Sequence, residues 1–387
     1  MNRRRFCQKS LSFQWRVAKM TNHDMLDNIK IHEDSDTKDP IKEVDSIGID
    51  EFLKTRLMSS TKSVVFFTGA GFSKAWKNKY PLGLELFSVD DFQNAREKNN
   101  FFKLADDLLI KQPVNSGDKD KYVKDCYEYF TEIKFNLDIF RRYPSLLPNY
   151  LDSTLISAFE EEMKMFIRSR FEETVGKSEF NPKTKTGENK KIKKLFNEIY
   201  KHNNSIGFIS TNYDFIIEKI YSNTNDLHFT RGIIDREMFS NKDWCANKVP
   251  LYKINGGFEL YEDSDGFYLD YSERNKTPHI ILPSKEQNYE SKYYKTTFIK
   301  SADLLRQSDI LVFIGYSLPS EDHTIQLLLK MFIDSHNKNK EVFIISKDGD
   351  SARKLTAKVA NLFPSIAKED AIAAVDGSLA DIADLVK

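Results

Sequence analysis

"VVFFTGAGFSK", residues 64–74, is the stretch that decides the fold. Five β-branched or aromatic residues run directly into Gly69, Ala70 and Gly71, and a hydroxyl follows at Ser73. A buried strand that enters a helix through glycines lets the main chain present its N–H groups to an anion such as a phosphate. A tight strand-to-helix turn without any ligand has the same pattern. On this stretch alone, both interpretations stay open.

The composition predicts a soluble globular protein. The 387 residues are 40% hydrophobic and 30% charged, which is enough material for a large core. The 58 basic residues balance the 58 acidic ones, so no net charge attracts nucleic acid. No apolar run approaches the roughly 20 residues that span a bilayer, so we expect no membrane partner. Three isolated cysteines, Cys7, Cys126 and Cys245, favour a reducing cytoplasm.

Residues 1–48 are predicted to be a flexible basic and polar arm. The first 20 residues, "MNRRRFCQKSLSFQWRVAKM", are basic and without acids, as in transit peptides and in wrongly assigned starts. We favour Met20 as the initiator, which leaves open whether the first 19 residues belong to the native protein. The stretch that follows is polar enough to be a mobile arm.

The rest of the chain predicts an α/β fold, a Rossmann-like doubly wound parallel sheet with an inserted helical subdomain. Short apolar runs separated by helical segments are typical of a parallel sheet that is buried on both faces. We assign 49–83 and 201–387 to the sheet domain, and 84–200 to the helical insert. The final stretch, 370–387, is expected to be a short tail. After residue 200, strands are predicted in "IGFIS" (206–210), "PLYKI" (250–254), "HIILP" (279–283), "DILVFIGYS" (309–317) and "EVFIIS" (341–346).

The insert shows helical periodicity and is expected to cover the ligand cleft as a lid that also offers partner contacts. Its basic run "KTKTGENKKIKKLF", 183–196, has no interleaved aromatics before Phe196, so we interpret it as a solvated loop. Two sets of apolar residues are predicted to form the core faces of helices: Leu151, Leu155, Phe159, Met163 and Ile167, and then Ile192, Leu195, Phe196, Ile199 and Tyr200.

Polar clusters follow the predicted strands, where ligands bind in such folds. They are "TNYDF" (211–215), "NGGF" (255–258) and "GYSLPSED" (315–322), in addition to the glycine stretch. The order GAGxS, TNYD, KxxGG, GYSLP resembles the sirtuin superfamily, and more closely its bacterial branch of NAD-consuming antiphage defence proteins. The resemblance covers about residues 50 to 350 and rests on the order of the elements along the strands.

The resemblance implies an NAD-binding site with assigned residues. Asn212 would hydrogen-bond the nicotinamide ribose or the attacking water, although Asn is also a common turn residue. The residues that would cradle the pyrophosphate are Gly69, Ala70, Gly71, Phe72 and Ser73. Gly315 and Ser317 would hold the adenosine side.

Two departures from the sirtuin pattern bear on activity. The chain lacks the two CxxC pairs of the zinc module found in deacylating sirtuins, so we expect no zinc and no protein deacylase. Where the family pattern has a histidine as general base, this chain has Asn255, which does not titrate and can only orient. Three accounts stay open: an engineered inactive variant, a natural enzyme with another base (Asp214, His228 or His323), or a natural binder without catalysis.

The leading hypothesis is a cytoplasmic NAD glycohydrolase effector of antiphage defence that converts NAD to nicotinamide and ADP-ribose. Activation is expected from homo-oligomerisation or from a separate defence protein, by analogy an ATPase or a nucleotide-processing sensor. The alternative is a catalytically silent subunit that senses NAD or ADP-ribose. Asn255 is the residue that discriminates between the two.

Overall fold

The structure is a computed structural model and describes residues 45–58, 62–184, 187–203, 205–222, 229–234, 236–239, 248–285, 287–334, 339–367 and 370–386. The described strands are β1 (Ser46–Ile47), β2 (Ser63–Thr68), β3 (Ser205–Ser210), β4 (Phe229–Thr230), β5 (Ile233–Ile234), β6 (Glu237–Met238), β7 (Val249–Lys253), β8 (Leu260–Asp263), β9 (Gly266–Leu269), β10 (Ile310–Ile314), β11 (Glu341–Ile345) and β12 (Ile372–Val375). The described helices are α1 (Ile49–Glu51), α2 (Ala70–Trp76), α3 (Phe92–Lys98), α4 (Phe101–Asp107), α5 (Lys119–Arg142), α6 (Ser153–Val175), α7 (Lys190–His202), α8 (Ile216–Tyr221), α9 (Lys292–Gln307), α10 (His323–Leu329), α11 (Gly349–Leu362), α12 (Pro364–Ala367) and α13 (Leu379–Asp384).

Eight of the described strands form one sheet in the order β1-β12-β11-β10-β2-β3-β7-β4. All of the strand pairs described in this sheet are parallel. The central pair is in register from Ile310 opposite Val64 to Ile314 opposite Thr68. Every residue of β10 is buried, which explains why its sequence is continuously apolar rather than alternating. The prediction of a doubly wound parallel sheet is confirmed.

The two faces of the sheet belong to two different core clusters. Val64 and Phe66 point to the cluster that also contains the buried residues of α3 to α7. Val65 and Phe67, the alternate residues of β2, point to the cluster formed with α9 to α12. Because successive side chains of a strand point to opposite faces, β2 is fixed between two helical layers. A shift of one residue would exchange the two sets of side chains.

The described residues between 84 and 200 form helices and short turns but no strand. The long helices α5 and α6 pack in the same core cluster as one sheet face. Two apolar residues predicted to face the core, Leu155 and Tyr200, are 41% exposed, so these assignments were wrong. For Leu155 the reason is geometric, because steps of four residues drift by about 40° per step around a helix. The neighbouring Ile156 is buried instead. The division into sheet domain and insert stays a prediction.

Three segments differ from the sequence-based expectation. The predicted strand 279–283 forms only an isolated bridge, between Gly256 and Ile280, and its flanking prolines at 278 and 283 cannot donate to a ladder. The expected tail contains β12 and α13, and β12 pairs with β11. Residues 46–47, expected within the arm, form β1 against β12. Residues 1–44 of the predicted arm lie outside the described residues.

Candidate functional site

The carboxyl end of β2 lies where the strand order of the sheet reverses. From β2 the chain continues to β3 and β7 on one side, whereas β10, β11 and β12 lie on the other side. In open α/β sheets a crevice forms at such a switch point, and it is the usual place for a ligand. The glycine stretch after β2 and the GYSLPSED stretch after β10 meet there. Topology therefore brings two of the predicted motifs to one crevice.

These two motifs touch through their backbones. The N–H of Gly71 donates to the carbonyl of Gly315 at 2.9 Å. A Cβ at Gly71 would lie 2.7 Å from the Cα of Gly315, and a Cβ at Gly69 would lie 2.6 Å from the Gly315 oxygen. Gly315 itself has a φ of +63°, which disfavours any side chain. Close packing of the two loops thus requires glycine at all three positions before any ligand is considered.

Several backbone amides of the glycine stretch already have acceptors within the protein. Gly69 N–H donates to Ile314 at 3.1 Å, and Phe72 N–H donates to the carbonyl of Gly69 at 2.9 Å. Together with Gly71, three of the five residues predicted to cradle a pyrophosphate donate to protein carbonyls. Ala70 is the first residue of α2, and the first N–H of a helix has no intrahelical acceptor. Ala70 is therefore the best-placed amide donor for an anion in this stretch.

Asn212, at the end of β3, is held by the motif after β2. Its Nδ2 donates to the carbonyl of Gly69 at 2.8 Å and to Oγ of Ser73 at 3.0 Å. Both bonds use the amide nitrogen, so they fix the orientation of the side-chain amide and leave Oδ1 as an acceptor. Asn212 is only partly buried. Asn212 can therefore present Oδ1 to the cleft as an acceptor with a fixed orientation.

Ser73 connects Asn212 to Asp214 through two hydrogen bonds of its hydroxyl. The Ser73 hydroxyl donates to Oδ2 of Asp214 at 2.5 Å, and Oδ1 of Asp214 accepts from the N–H of Ile216 at 3.1 Å. Burial raises the pKa of Asp214, while the hydrogen bond from Ser73 and the charge of Lys253 oppose the rise. Both carboxylate oxygens have donors inside the protein. Asp214 is therefore built to hold Ser73, which in turn holds Asn212.

A buried ionic cluster lies beneath this turn, and sequence reasoning missed it. The Lys253 ammonium donates to the Asp214 carbonyl at 2.6 Å and lies 2.5 Å from Glu218 and 3.1 Å from Glu259. Arg231 pairs with Glu259, and all four side chains of the cluster are at most 1% exposed. Burial lowers the pKa of Lys253 to about 8, with Glu218 opposing. The sequence signal that could have revealed this cluster was a charged residue inside each apolar run.

Asn255, which the sequence analysis predicts to occupy the general-base position, lies beside the Asn212 turn. Its Nδ2 is 3.5 Å from the carbonyl of Thr211, and its Oδ1 is 3.1 Å from the hydroxyl of Tyr289, which also lies 2.5 Å from Oε1 of Gln287. Gly256 follows with a φ of +78°, and a Cβ there would lie 2.1 Å from the carbonyl oxygen of His279. The side chain of Asn255 is thus positioned by hydrogen bonds. Tyr289 is a site residue that the sequence analysis did not identify.

The other predicted residues are less closely joined. Ser317 is exposed in the loop after β10, whereas the neighbouring Tyr316 is buried and donates to Asp322 at 2.6 Å. His323, one candidate for a replacement base, is exposed at the start of α10. His228, the other candidate, lies outside the described residues. Asn212, Asp214, Asn255 and the glycine stretch are therefore brought together, while Ser317 and His323 lie at the rim after β10.

Among the described residues, no group of three or more His, Cys, Asp or Glu side chains could hold a metal ion. Cys126 is buried and free, and the other two cysteines lie outside the described residues. No helix in the described part of the chain is both long and apolar enough to span a bilayer.

Residues 207–364 match a family model described as a SIR2-like domain. No curated protein matches this chain. Among solved structures, a Sir2 homologue mutant in complex with ADP-ribose has 12% identity and a TM-score of 0.39, covering 87% of this chain and 94% of that one. A structure of Sir2Tm bound to a propionylated peptide has 10% identity and a TM-score of 0.34, covering 87% of this chain and 95% of that one.

Proposed function

We propose that this chain binds NAD at the carboxyl edge of β2, β3, β7 and β10 and hydrolyses its nicotinamide–ribose bond. The observation that carries the proposal is the fixed amide of Asn212, which is held by Gly69 and Ser73 with Oδ1 left to accept. Support also comes from the match of residues 207–364 to a SIR2-like domain. In this proposal NAD is the substrate.

The reaction consumes NAD and water and yields nicotinamide, ADP-ribose and a proton. The bond to nicotinamide breaks through an oxocarbenium-like state, which water captures readily. Asn212 orients the attacking water or a ribose hydroxyl through Oδ1. Asp214 and Ser73 act as positioning residues, because their hydrogen bonds fix the Asn212 amide. Positioning alone supplies a large part of the barrier reduction in such reactions.

Asn255 sets the limit on the rate. An amide cannot take the proton that is released, so the proton leaves to solvent and the 10²- to 10⁴-fold contribution of general-base catalysis is lost. Its contacts with Tyr289 and with the carbonyl of Thr211 keep the amide beside the Asn212 turn. We therefore propose a slow hydrolase whose rate depends on a partner or on oligomerisation that completes the site.

The biological part of the proposal rests on the sequence resemblance. We propose a cytoplasmic antiphage defence effector that depletes NAD when a separate ATPase or nucleotide-processing sensor, or assembly of several copies, activates it. The exposed surface of the helices between residues 84 and 200 is the proposed contact area. Neither nucleic acid nor membrane is a proposed partner.

The test is to incubate the purified protein with NAD, alone and with the product of the neighbouring gene, and to follow nicotinamide release by chromatography. Nicotinamide release that is lost in Asn212→Ala supports the hydrolase. Failure to release nicotinamide in every condition, together with failure to bind ADP-ribose by calorimetry, overturns the proposal.

A second candidate function is an NAD or ADP-ribose sensor without catalysis. The specific observation in its favour is Asn255, which is held by Tyr289 in the position where a base is expected. A sensor binds ADP-ribose and releases no nicotinamide in any partner condition. Calorimetry and chromatography on the same preparation distinguish the two functions.

A further inference from the structure

A serine, a histidine and a glutamate line up outside the NAD crevice. Nε2 of His279 lies 3.2 Å from Oγ of Ser291, and Nδ1 of His279 lies 3.5 Å from Oε2 of Glu262. The backbone N–H of His279 donates to the carbonyl of Leu260 at 2.7 Å, which places the histidine beside the strand that carries Glu262. A nucleophile, a base and an acid that orients the base are the three parts of a serine hydrolase site.

Ser291 occupies the N-cap position of a helix but does not cap it. It is the residue that precedes α9, a helix of 16 residues, but its side chain makes no capping hydrogen bond. Polar residues at the same position of α5, α6 and α7 do accept from a backbone N–H of their helix, namely Asp118, Asp152 and Asn189. The hydroxyl of Ser291 is directed to His279 instead. Asn100 before α4 and Asp322 before α10 also make no capping bond, so the relevant feature of Ser291 is its contact with His279.

Ser291 and His279 both open onto a cavity of about 260 Å³. Lys134, Lys164 and Arg141 line the same cavity and surround the carboxylate of Glu160 at 3.7, 2.9 and 2.6 Å. Asp138 pairs with Lys134, and Glu290 also lines the cavity, so three carboxylates balance the three cations of the lining. The cavity therefore suits a small substrate without net charge.

The imidazole of His279 is in the form that a base requires. Its ring stacks on Tyr294 with centroids 5.0 Å apart, and burial lowers the pKa of His279 to about 4. The ring is thus neutral near pH 7, and in the tautomer with the proton on Nδ1, the nitrogen on the side of Glu262, Nε2 accepts from the Ser291 hydroxyl. A base of such low pKa removes protons slowly, so covalent labelling is a better test than turnover.

We propose that Ser291, His279 and Glu262 form a second catalytic site that hydrolyses a small uncharged ester. Ser291 Oγ attacks the ester carbonyl carbon while its proton passes to His279 Nε2, and the alcohol leaves with that proton. Water then attacks the acyl-serine through the same histidine, releasing the carboxylic acid and restoring the hydroxyl. The first N–H groups of α9 lie next to Ser291 and have no intrahelical acceptor, so they can bind the oxyanion.

The test uses a fluorophosphonate probe on the full chain, followed by intact mass and peptide mapping. We expect one adduct, on Ser291, that is absent in Ser291→Ala and forms at least 10-fold more slowly in His279→Asn. Ser284→Ala is the matched control, because Ser284 lines the same cavity and donates to Asp138 at 2.8 Å. We expect the probe to label Ser291 of the Ser284→Ala variant at the wild-type rate. Thermal unfolding of each variant verifies that labelling is compared between folded proteins.

Ester turnover gives a second measurement. The wild type should hydrolyse 4-nitrophenyl acetate at least 10-fold faster than the folded Ser291→Ala variant does. An unlabelled wild type, or equal labelling of the folded Ser291→Ala variant, overturns the proposed site. Equal hydrolysis of 4-nitrophenyl acetate by the wild type and Ser291→Ala overturns the proposed esterase activity. The result is independent of nicotinamide release.

Discussion

The Ser73 hydroxyl lies 2.5 Å from Oδ2 of Asp214, although the two residues are 141 positions apart in the chain. The bond joins the loop after β2 to the turn after β3. Since Oγ of Ser73 also accepts from Asn212, one serine connects the buried carboxylate to the amide at the cleft. Replacing Ser73 with alanine therefore removes a bond that positions Asn212 and leaves the Asn212 side chain itself unchanged.

Ser73→Ala should lower the affinity for ADP-ribose about 5- to 10-fold, because one hydrogen bond contributes about 1 kcal/mol net and its loss frees the Asn212 amide. Titration calorimetry measures the effect. Ser320→Ala, which removes an exposed hydroxyl after β10, is the control and should bind as the wild type does. Unchanged affinity in Ser73→Ala would show that the ligand does not depend on Asn212.

Ala70→Pro tests the amide at the start of α2. Proline is tolerated at the first position of a helix, and Gly69 already has the extended conformation that precedes proline. The substitution thus removes one N–H with little strain. If that N–H donates to the pyrophosphate, the loss of about 1.5–3 kcal/mol lowers ADP-ribose affinity roughly 10- to 100-fold. Ala70→Ser keeps the N–H and should bind normally; equal affinity of both variants contradicts the assignment.

Asn255→His should raise nicotinamide release by about 10²-fold or more, because it supplies the missing general base. Asn212→Ala on this background should remove the gain, since a base without a positioned reactant contributes little. Chromatography of NAD and nicotinamide measures both. If the starting protein is already fast and Asn255→His leaves it unchanged or slower, the chemistry runs through another group, with Asp214 the first to examine.

Acid should destabilise the fold through Glu160. Burial raises the pKa of this carboxyl, but Lys164, Lys134 and Arg141 outweigh burial and lower the pKa to about 2. The carboxylate therefore stabilises the fold above pH 4.5, and this contribution is lost as the pH falls from about 4.5 to about 2. We expect Glu160→Gln to lower the free energy of unfolding by about 3 kcal/mol at pH 7. By pH 2, denaturant melts of the two proteins should nearly coincide.

Helix α5 is expected to respond to ligand at the crevice. Its Asp138 accepts from Ser284 at 2.8 Å, in the segment that leads to Tyr289 and Asn255. If the insert covers the cleft, adding NAD slows hydrogen exchange of the α5 amides. Exchange in α11, on the other face of the sheet, is the internal control. No change anywhere between residues 84 and 200 would show that the lid assignment is wrong.

The strands were predictable where burial on both faces imposes a continuous apolar run, as in β2 and β10. The run 279–283 is equally apolar, but its prolines and its backbone bonds to the 255–260 segment keep it out of the sheet. β1 and β12 were missed because they are short. Local pattern cannot reveal strands that are stabilised mainly by pairing with residues far away in the chain.

The candidate site was predictable only in part. Asn212, Asp214 and Asn255 could be selected because they follow strands in a known order of motifs. Their hydrogen bonds could not be foreseen, since Tyr289 and Ser73 reach them from distant segments. The buried cluster around Lys253 was not predicted either, because a single charged residue in an apolar run usually indicates an exposed position.

The contact of Gly71 with Gly315 limits what can be learned from substitution tolerance. A side chain at either position meets the backbone of the opposite loop, and a backbone cannot be replaced by a smaller neighbour. A saturation scan would thus find Gly69, Gly71 and Gly315 intolerant even in a protein that never meets NAD. Loss of binding in Gly71→Val is expected from this collision alone. Evolutionary invariance of the three glycines would equally reflect steric necessity, and selection for a dinucleotide must be sought at residues whose side chains have room to vary.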